Sequence, residues 1–161
     1  MITLEDILIS SKGEVEKIYR GKSTLHFWRG LNLDDDRVNP LYPDLEQRIL
    51  PSGSVRDPDV EKELKDGVWY VKAQIGKGTS IVDKEGIFGY KKWEYLVIPA
   101  GTTIPKELII TKDHYMQKKK CWHYSISPNF DMSENDYLKA LDVLALNAGI
   151  KIKVKNHANN R

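Results

Sequence analysis

Val68-Trp69-Tyr70-Val71-Lys72-Ala73 is the stretch at which the apolar period of this chain changes from helical to two. Similar short runs follow at Thr79-Ser80-Ile81-Val82-Asp83, Tyr95-Leu96-Val97-Ile98, Leu108-Ile109-Ile110-Thr111 and Trp122-His123-Tyr124-Ser125-Ile126-Ser127. All are rich in β-branched and aromatic residues, and Gly, Pro or charge separates them, as expected of strands on a pleated, half-buried surface. They predict a β-rich core. The period then reverts: Tyr137, Leu138, Leu141, Leu144, Ala145 and Ala148 recur at helical spacing, behind a capping Ser133 with Asp136 at the box position and ahead of Gly149. This predicts a helix over Glu134 to Ala148 with its apolar face on the sheet.

Working outward, Leu4 to Tyr19 reads as a short helix interrupted at Ser10-Ser11-Lys12-Gly13, then a strand over Val15 to Arg20. Between Asn32 and Pro58 four prolines, the run Asp34-Asp35-Asp36 and Ser52-Gly53-Ser54 prevent long hydrogen-bond ladders, so most of this segment is expected to be loop. A helical turn or two is expected at Asp44 to Leu50. Asp57-Pro58-Asp59 before Val60-Glu61-Lys62-Glu63-Leu64 predicts another helix, with an acidic cap and a first-turn proline. The tail beyond about residue 150 is expected to fray. No linker or repeat interrupts the chain, so residues 1–161 are expected to form a single α+β domain.

Composition narrows the function. The 161 residues include 40% hydrophobic ones, enough for a true core. Twenty-five basic side chains against 23 acidic ones give a net charge of +2, which excludes the broad field of a general nucleic-acid or membrane-surface binder. The single cysteine, Cys121, excludes an internal disulfide and a cysteine-based zinc site. The acidic start and the lack of a long apolar run predict a soluble chain without a cleaved leader.

No strong catalytic signature is present: there is no Gly-x-Ser-x-Gly, His-Glu-x-x-His, Walker loop or dinucleotide fingerprint. Gly76-Lys77-Gly78 precedes a strand and not a helix, so it reads as a hairpin turn. The scattered histidines His26, His114, His123 and His157 lack metal-ligand spacing, and no metal is expected. His123, inside an expected central strand, reads as a buried structural residue or a site residue. Asp34 to Asp36 reads as a solvated loop. Lys118-Lys119-Lys120 beside Trp122 reads as a solvated hairpin tip, or as a strip that tracks a phosphate backbone with stacking support. The latter keeps a nucleic-acid-binding or ribonuclease-like toxin as an alternative.

Taken in order, Ile18-Tyr19-Arg20-Gly21, Gly78-Thr79-Ser80-Ile81-Val82-Asp83-Lys84-Glu85-Gly86, Val97-Ile98-Pro99-Ala100-Gly101-Thr102-Thr103-Ile104-Pro105, the pair Asp113-x-Tyr115 and His123-Tyr124-Ser125-Ile126-Ser127-Pro128 resemble the type VI secretion effector toxins called type-six exported effector two. Arg56 to Asp59 adds a waypoint in the loop region. The resemblance runs from Tyr19 to Ala148 and is densest from Gly78 to Pro128.

It implies an ADP-ribosyltransferase-like fold, with split, strongly curved β-sheets around an NAD cleft and flanking helices. It implies NAD as substrate, a cytotoxic role by ADP-ribosylation of an intracellular target, and a cognate immunity protein as partner. NAD hydrolysis without transfer is an alternative, and a nucleic acid is a conceivable acceptor. The toxin would be cytoplasmic in its producer and delivered to the cytoplasm of a target cell. By this resemblance Arg20 anchors the diphosphate, since a guanidinium binds phosphate oxygens bidentately. Tyr19, Arg56 and Tyr124 accompany it at the dinucleotide, and Thr79 and Ser80 form the catalytic strand start. Tyr70, Trp69 or Tyr90 would cover the cationic nicotinamide. The family's late strand here lacks the usual catalytic glutamate, so His123 is expected to stand in for it, with Asp113 or Glu94 as candidate sources of negative charge. The central expectation is that Arg20 converges with Thr79 and Ser80 on one dinucleotide.

Overall fold

The computed structural model describes residues 2–10 and 18–153. Helix α1 (Leu4–Ser10) opens the chain, capped by reciprocal bonds between Thr3 and Asp6. Strands β1 (Ile18–Tyr19) and β2 (Phe27–Asn32) follow, then β3 (Arg48–Ile49), β4 (Val55–Arg56), β5 (Lys62–Lys65) and β6 (Val68–Val71). The second half holds β7 (Thr79–Val82), β8 (Trp93–Ile98), β9 (Leu108–Met116), β10 (Cys121–Pro128), β11 (Met132–Ser133) and helix α2 (Glu134–Ala148). Six strands form the main sheet in the order β1-β9-β10-β7-β2-β8, with every pairing antiparallel. A second sheet, β11-β6-β5, and the two-stranded β3-β4 complete a mixed α+β architecture.

Helix α2 forms where its sequence places it. Ser133 Oγ accepts the Asp136 N–H at 3.1 Å, and Gly149 closes the helix at φ 74°, a left-handed conformation that costs glycine little. Its apolar stripe, with Tyr137, Leu141 and Leu144 fully buried, packs on Phe27, Ile81, Tyr124 and Ile126. Burying each leucine stabilises the fold by roughly 2 kcal/mol. Tyr137 Oη also donates to the Ile126 carbonyl at 2.6 Å, fixing the helix to the centre of the sheet.

The segment around Val60 to Leu64 is not a helix. Lys62–Lys65 is a strand, because Asp66 and Gly67, at φ 50° and 77°, form a two-residue hairpin turn whose twist matches the strands it joins. Asp44 to Leu50 likewise holds no helical turn; Arg48–Ile49 pairs with Val55–Arg56 instead. Gly76-Lys77-Gly78 is a turn but not a hairpin, since it carries the chain from the second sheet to the main one. At Gly78 the backbone crosses so close to β10 that a Cβ would lie 2.1 Å from the Ile126 carbonyl oxygen. Strand β2 arises from a segment that sequence patterning leaves unassigned. The expected strand start at Val15 and the frayed end from residue 154 lie outside the described residues.

Two irregularities interrupt the ladders of the main sheet. Strand β2 pairs with β7 at one position, Trp28 opposite Val82, while it pairs with β8 along its whole length. Beyond that bridge the ladder between β2 and β7 is open. Strand β9 contains a bulge opposite His123 and Tyr124, which leaves Asp113 without a partner in the register.

Candidate active site

Because side chains alternate across a strand and directly paired residues share a face, Ser80, Val82, His123, Ser125 and Trp28 lie on one face of the main sheet. Thr79, Ile81, Tyr124 and Ile126 lie on the other, where α2 packs. The first face carries a cleft of about 240 Å³ lined by Ser80, His123, Arg29 and Arg56 with Trp28, Phe88, Trp93 and Tyr95. Gly30 forms part of its lining, and a Cβ there would meet the Tyr95 ring at 3.3 Å.

His123 is held from behind by a carboxylate. Its Nδ1 lies 3.0 Å from Asp113 Oδ2, and Ser125 Oγ donates to the same oxygen at 2.6 Å. The other oxygen, Oδ1, accepts Thr111 Oγ1 at 2.7 Å. The bulge turns Asp113 toward these three groups. With Nδ1–H donating to the carboxylate, Nε2 is left as the acceptor nitrogen of the neutral ring. His114 stacks on His123 at 4.8 Å between centroids and fixes the plane of the imidazole.

Arg29 occupies the opening between β2 and β7. Its Nη1 donates to the Ser80 carbonyl at 3.1 Å, Nε to Pro40 at 3.0 Å and Nη2 to Tyr42 at 3.2 Å. A single guanidinium thus replaces the missing ladder and ties the loop at Pro40 to Tyr42 against β7. Only 8% of Arg29 is exposed, and burial pushes its guanidinium down to about 10, against the pull of Asp59, Asp44 and Asp35. Arg56 is held by Asp44 at 3.0 Å and Asp59 at 3.2 Å. Beside the cleft, a smaller hollow of about 120 Å³ is lined by Arg29, Arg37, Arg48 and Arg56 with Asp35 and Asp44. Arg37 and Arg48 are also paired with these carboxylates, so the four guanidiniums exceed Asp35, Asp44 and Asp59 by one positive charge at this end of the face.

The family model described as Tse2 ADP-ribosyltransferase toxin matches residues 6–152. The chain belongs to this family. It is also similar to "Toxin Tse2" of Pseudomonas aeruginosa, with 31% identity over 108 residues, covering 67% of this chain and 65% of that toxin.

Within this Tse2-family chain, the residues expected at the site separate into two groups. Ser80, His123 and Arg56 line the cleft together. Arg20 does not join them: its side chain is 61% exposed and pairs with Glu5 at 3.1 Å. It follows β1, and β9 and β10 stand between β1 and β7, a separation of roughly 14 Å at ordinary strand spacing. Thr79 is fully buried on the helix side, donating to the Leu41 carbonyl at 2.6 Å. Tyr19 and Tyr124 are core residues packed around Phe27, because both occupy the inward positions of their strands. Tyr70 pairs with Glu63 and Ser133 in the second sheet, away from the cleft lining. Trp69 lies under Lys62, and Tyr90 is bound to Glu85; neither lines the cleft. Glu94 is exposed on β8, so of the two candidate carboxylates it is Asp113 that reaches His123.

The cleft residues that sequence reasoning missed are Arg29, Trp28, Phe88, Trp93 and Tyr95. The alternation in Phe27-Trp28-Arg29-Gly30-Leu31-Asn32 is a strand signal, interrupted in hydrophobicity only by the arginine. Among the described residues no group of three or more His, Cys, Asp or Glu is arranged to hold a metal, and no helix is long and apolar enough to cross a membrane.

Proposed function

We propose that this chain is an NAD-dependent toxin that transfers ADP-ribose to a macromolecule of the intoxicated cell, with Ser80, His123 and Asp113 at its reacting centre. The observation that carries this reading is the Asp113 carboxylate 3.0 Å behind His123, in a cleft that Ser80 and Arg56 also line. Family membership supports the reaction class. The match covers less than two thirds of the Pseudomonas aeruginosa toxin, so the activity, target and partners are proposals for this chain.

In this reaction the bond between the ribose C1′ and the nicotinamide nitrogen breaks. Its electron pair leaves with nicotinamide, and C1′ becomes oxocarbenium-like before a nucleophile of the acceptor closes on it and loses its proton. A carboxylate beside the ribose stabilises that cation, as in glycoside cleavage. Here the negative charge is one residue removed. His123 Nε2 accepts a hydrogen bond from a ribose hydroxyl, and Asp113 makes the imidazole a better acceptor and holds its tautomer. Ser80, on the adjacent strand two residues from Val82, the partner of His123, offers a hydroxyl to the same ribose. Trp28, Phe88, Trp93 and Tyr95 supply the aromatic surroundings that favour a cationic ring.

The cleft volume of about 240 Å³ is below the roughly 300–1,000 Å³ typical of small-molecule sites, so it takes the nicotinamide end of the dinucleotide. The adjoining arginine hollow then receives the diphosphate, a role expected of Arg20 and better suited to the partly exposed Arg48 and Arg56, while Arg29 stays bound to its three carbonyls. A cognate immunity protein and delivery to the cytoplasm of a target cell accompany this reading by family likeness.

The test is incubation of the full chain, with and without a bacterial cell extract as source of acceptors, with NAD labelled separately on nicotinamide and adenylate. Free nicotinamide together with label on a macromolecule supports transfer. Nicotinamide release without macromolecular label reduces the proposal to hydrolysis, and no release overturns it.

A further inference from the structure

Two segments bound one end of the cleft, and both are strongly basic. The β7–β8 connection carries Lys84, Lys91 and Lys92, and the β9–β10 turn carries Lys118, Lys119 and Lys120, against Asp83, Glu85 and Glu94. Two of these carboxylates are engaged internally: Asp83 accepts the Trp122 N–H and Tyr124 hydroxyl, and Glu85 accepts the Tyr90 hydroxyl. Among the described residues no ion pair involves any of the six lysines. For a chain of net charge +2, this is a concentrated positive rim.

The rim is continuous and contains aromatic faces. Lys84 Nζ donates to the Lys119 carbonyl at 3.3 Å, joining the two segments, and Lys119 Nζ lies 5.3 Å above the Phe88 ring. Phe88 and Tyr90 are 44% and 63% exposed. Both are held in place: Phe88 packs on Trp93 at 4.6 Å and Tyr90 on Tyr95 at 5.2 Å. The Tyr95 hydroxyl accepts the Phe88 N–H and donates to the Gly89 carbonyl, which fixes the loop that presents them.

We infer that this rim binds single-stranded nucleic acid, with the lysines following the phosphates and Tyr90, the exposed ring outside the cleft, offering a stacking face to a base. An acidic protein segment would satisfy the lysines but leave that ring without a flat partner; an unpaired base satisfies both. That the strand then lies beside the reacting centre rests on the proposed NAD reading, whereas the binding itself does not.

The experiment is fluorescence anisotropy of the full chain with a labelled oligouridylate of about 12 nucleotides, within the span such grooves cover. Poly-glutamate serves as competitor, and NAD turnover is followed in parallel. Raising salt from about 50 to 200 mM should weaken binding tenfold or more. Lys118→Ala/Lys120→Ala should flatten the salt slope by roughly 1.4, and Tyr90→Ala should weaken binding about fivefold at unchanged slope, both with native circular dichroism and NAD turnover. No binding at low salt, competition by poly-glutamate as effective as by unlabelled oligouridylate, or indifference to these substitutions overturns the inference. Absent NAD turnover with intact binding would instead count against the enzymatic reading alone.

Discussion

His123 Nδ1 and Asp113 Oδ2 stand 3.0 Å apart across a bulge that leaves Asp113 without a strand partner. The acid is adjacent to the histidine only because β9 spends one extra residue there. Asp113→Asn keeps the shape and removes the charge, and it can present an amide N–H to Nδ1, reversing the tautomer. Nicotinamide release should fall on the order of a hundredfold while thermal unfolding stays within a few degrees. Turnover within twofold of the parent would remove Asp113 from the reaction.

Ser80 and Thr79 are neighbours with opposite surroundings, and their alanine variants should differ accordingly. Ser80→Ala should lower NAD turnover with little change in stability, since Ser80 lines the cleft. Thr79→Ala leaves the buried Leu41 carbonyl without its donor and should cost about 1–3 kcal/mol in urea unfolding.

Arg29 is the residue whose loss should damage both fold and site. Arg29→Ala strands three carbonyls, those of Pro40, Tyr42 and Ser80, and should destabilise by about 3–5 kcal/mol. Arg29→Lys should recover only part of this, because an ammonium cannot span the fork. Equilibrium unfolding in urea separates the two.

Arg20→Ala should change stability by no more than about 1 kcal/mol, as its pairing with Glu5 is at the surface. NAD turnover should stay within about twofold of the parent. A large loss of nicotinamide release would return Arg20 to the site and displace the cleft described above.

Alkaline titration should show tyrosines that resist ionisation. Burial, and then the bond to Asp142, pushes Tyr42 up to about 12, while burial also raises Tyr124 and Tyr137. A phenol whose folded value exceeds the unfolded value near 10 contributes stability fully below pH 10 and loses it as pH rises through the folded value. Absorbance at 295 nm should therefore rise in two stages, with the later one accompanying unfolding. Tyr42→Phe should make stability less sensitive to pH between about 10 and 12.

What the sequence disclosed was what its local chemistry determines. Ser133 and Gly149 bound α2 because caps act within a turn, and the runs at Val68, Thr79, Leu108 and Trp122 are strands because their β-branched and aromatic residues fit a pleated surface. The helix expected after Pro58 failed because Asp66-Gly67, a stronger and equally local signal for a hairpin, went unused. The site was only half legible. Ser80 and His123 carry a family pattern, but the partnership of Asp113 depends on a one-residue slip in register. The role of Arg29 depends on where two strands stop pairing. Both are decided between segments distant in sequence.

Gly78 passes against the Ile126 carbonyl, the same oxygen that receives the Tyr137 hydroxyl. Turn, sheet and helix therefore share one atom's surroundings, with no room for a methyl group. A random-mutagenesis screen for inactive variants should accordingly return Gly78 substitutions as often as changes in the cleft. Those clones would be recognised by their insolubility at every temperature of expression, marking a position whose intolerance reflects assembly and not chemistry.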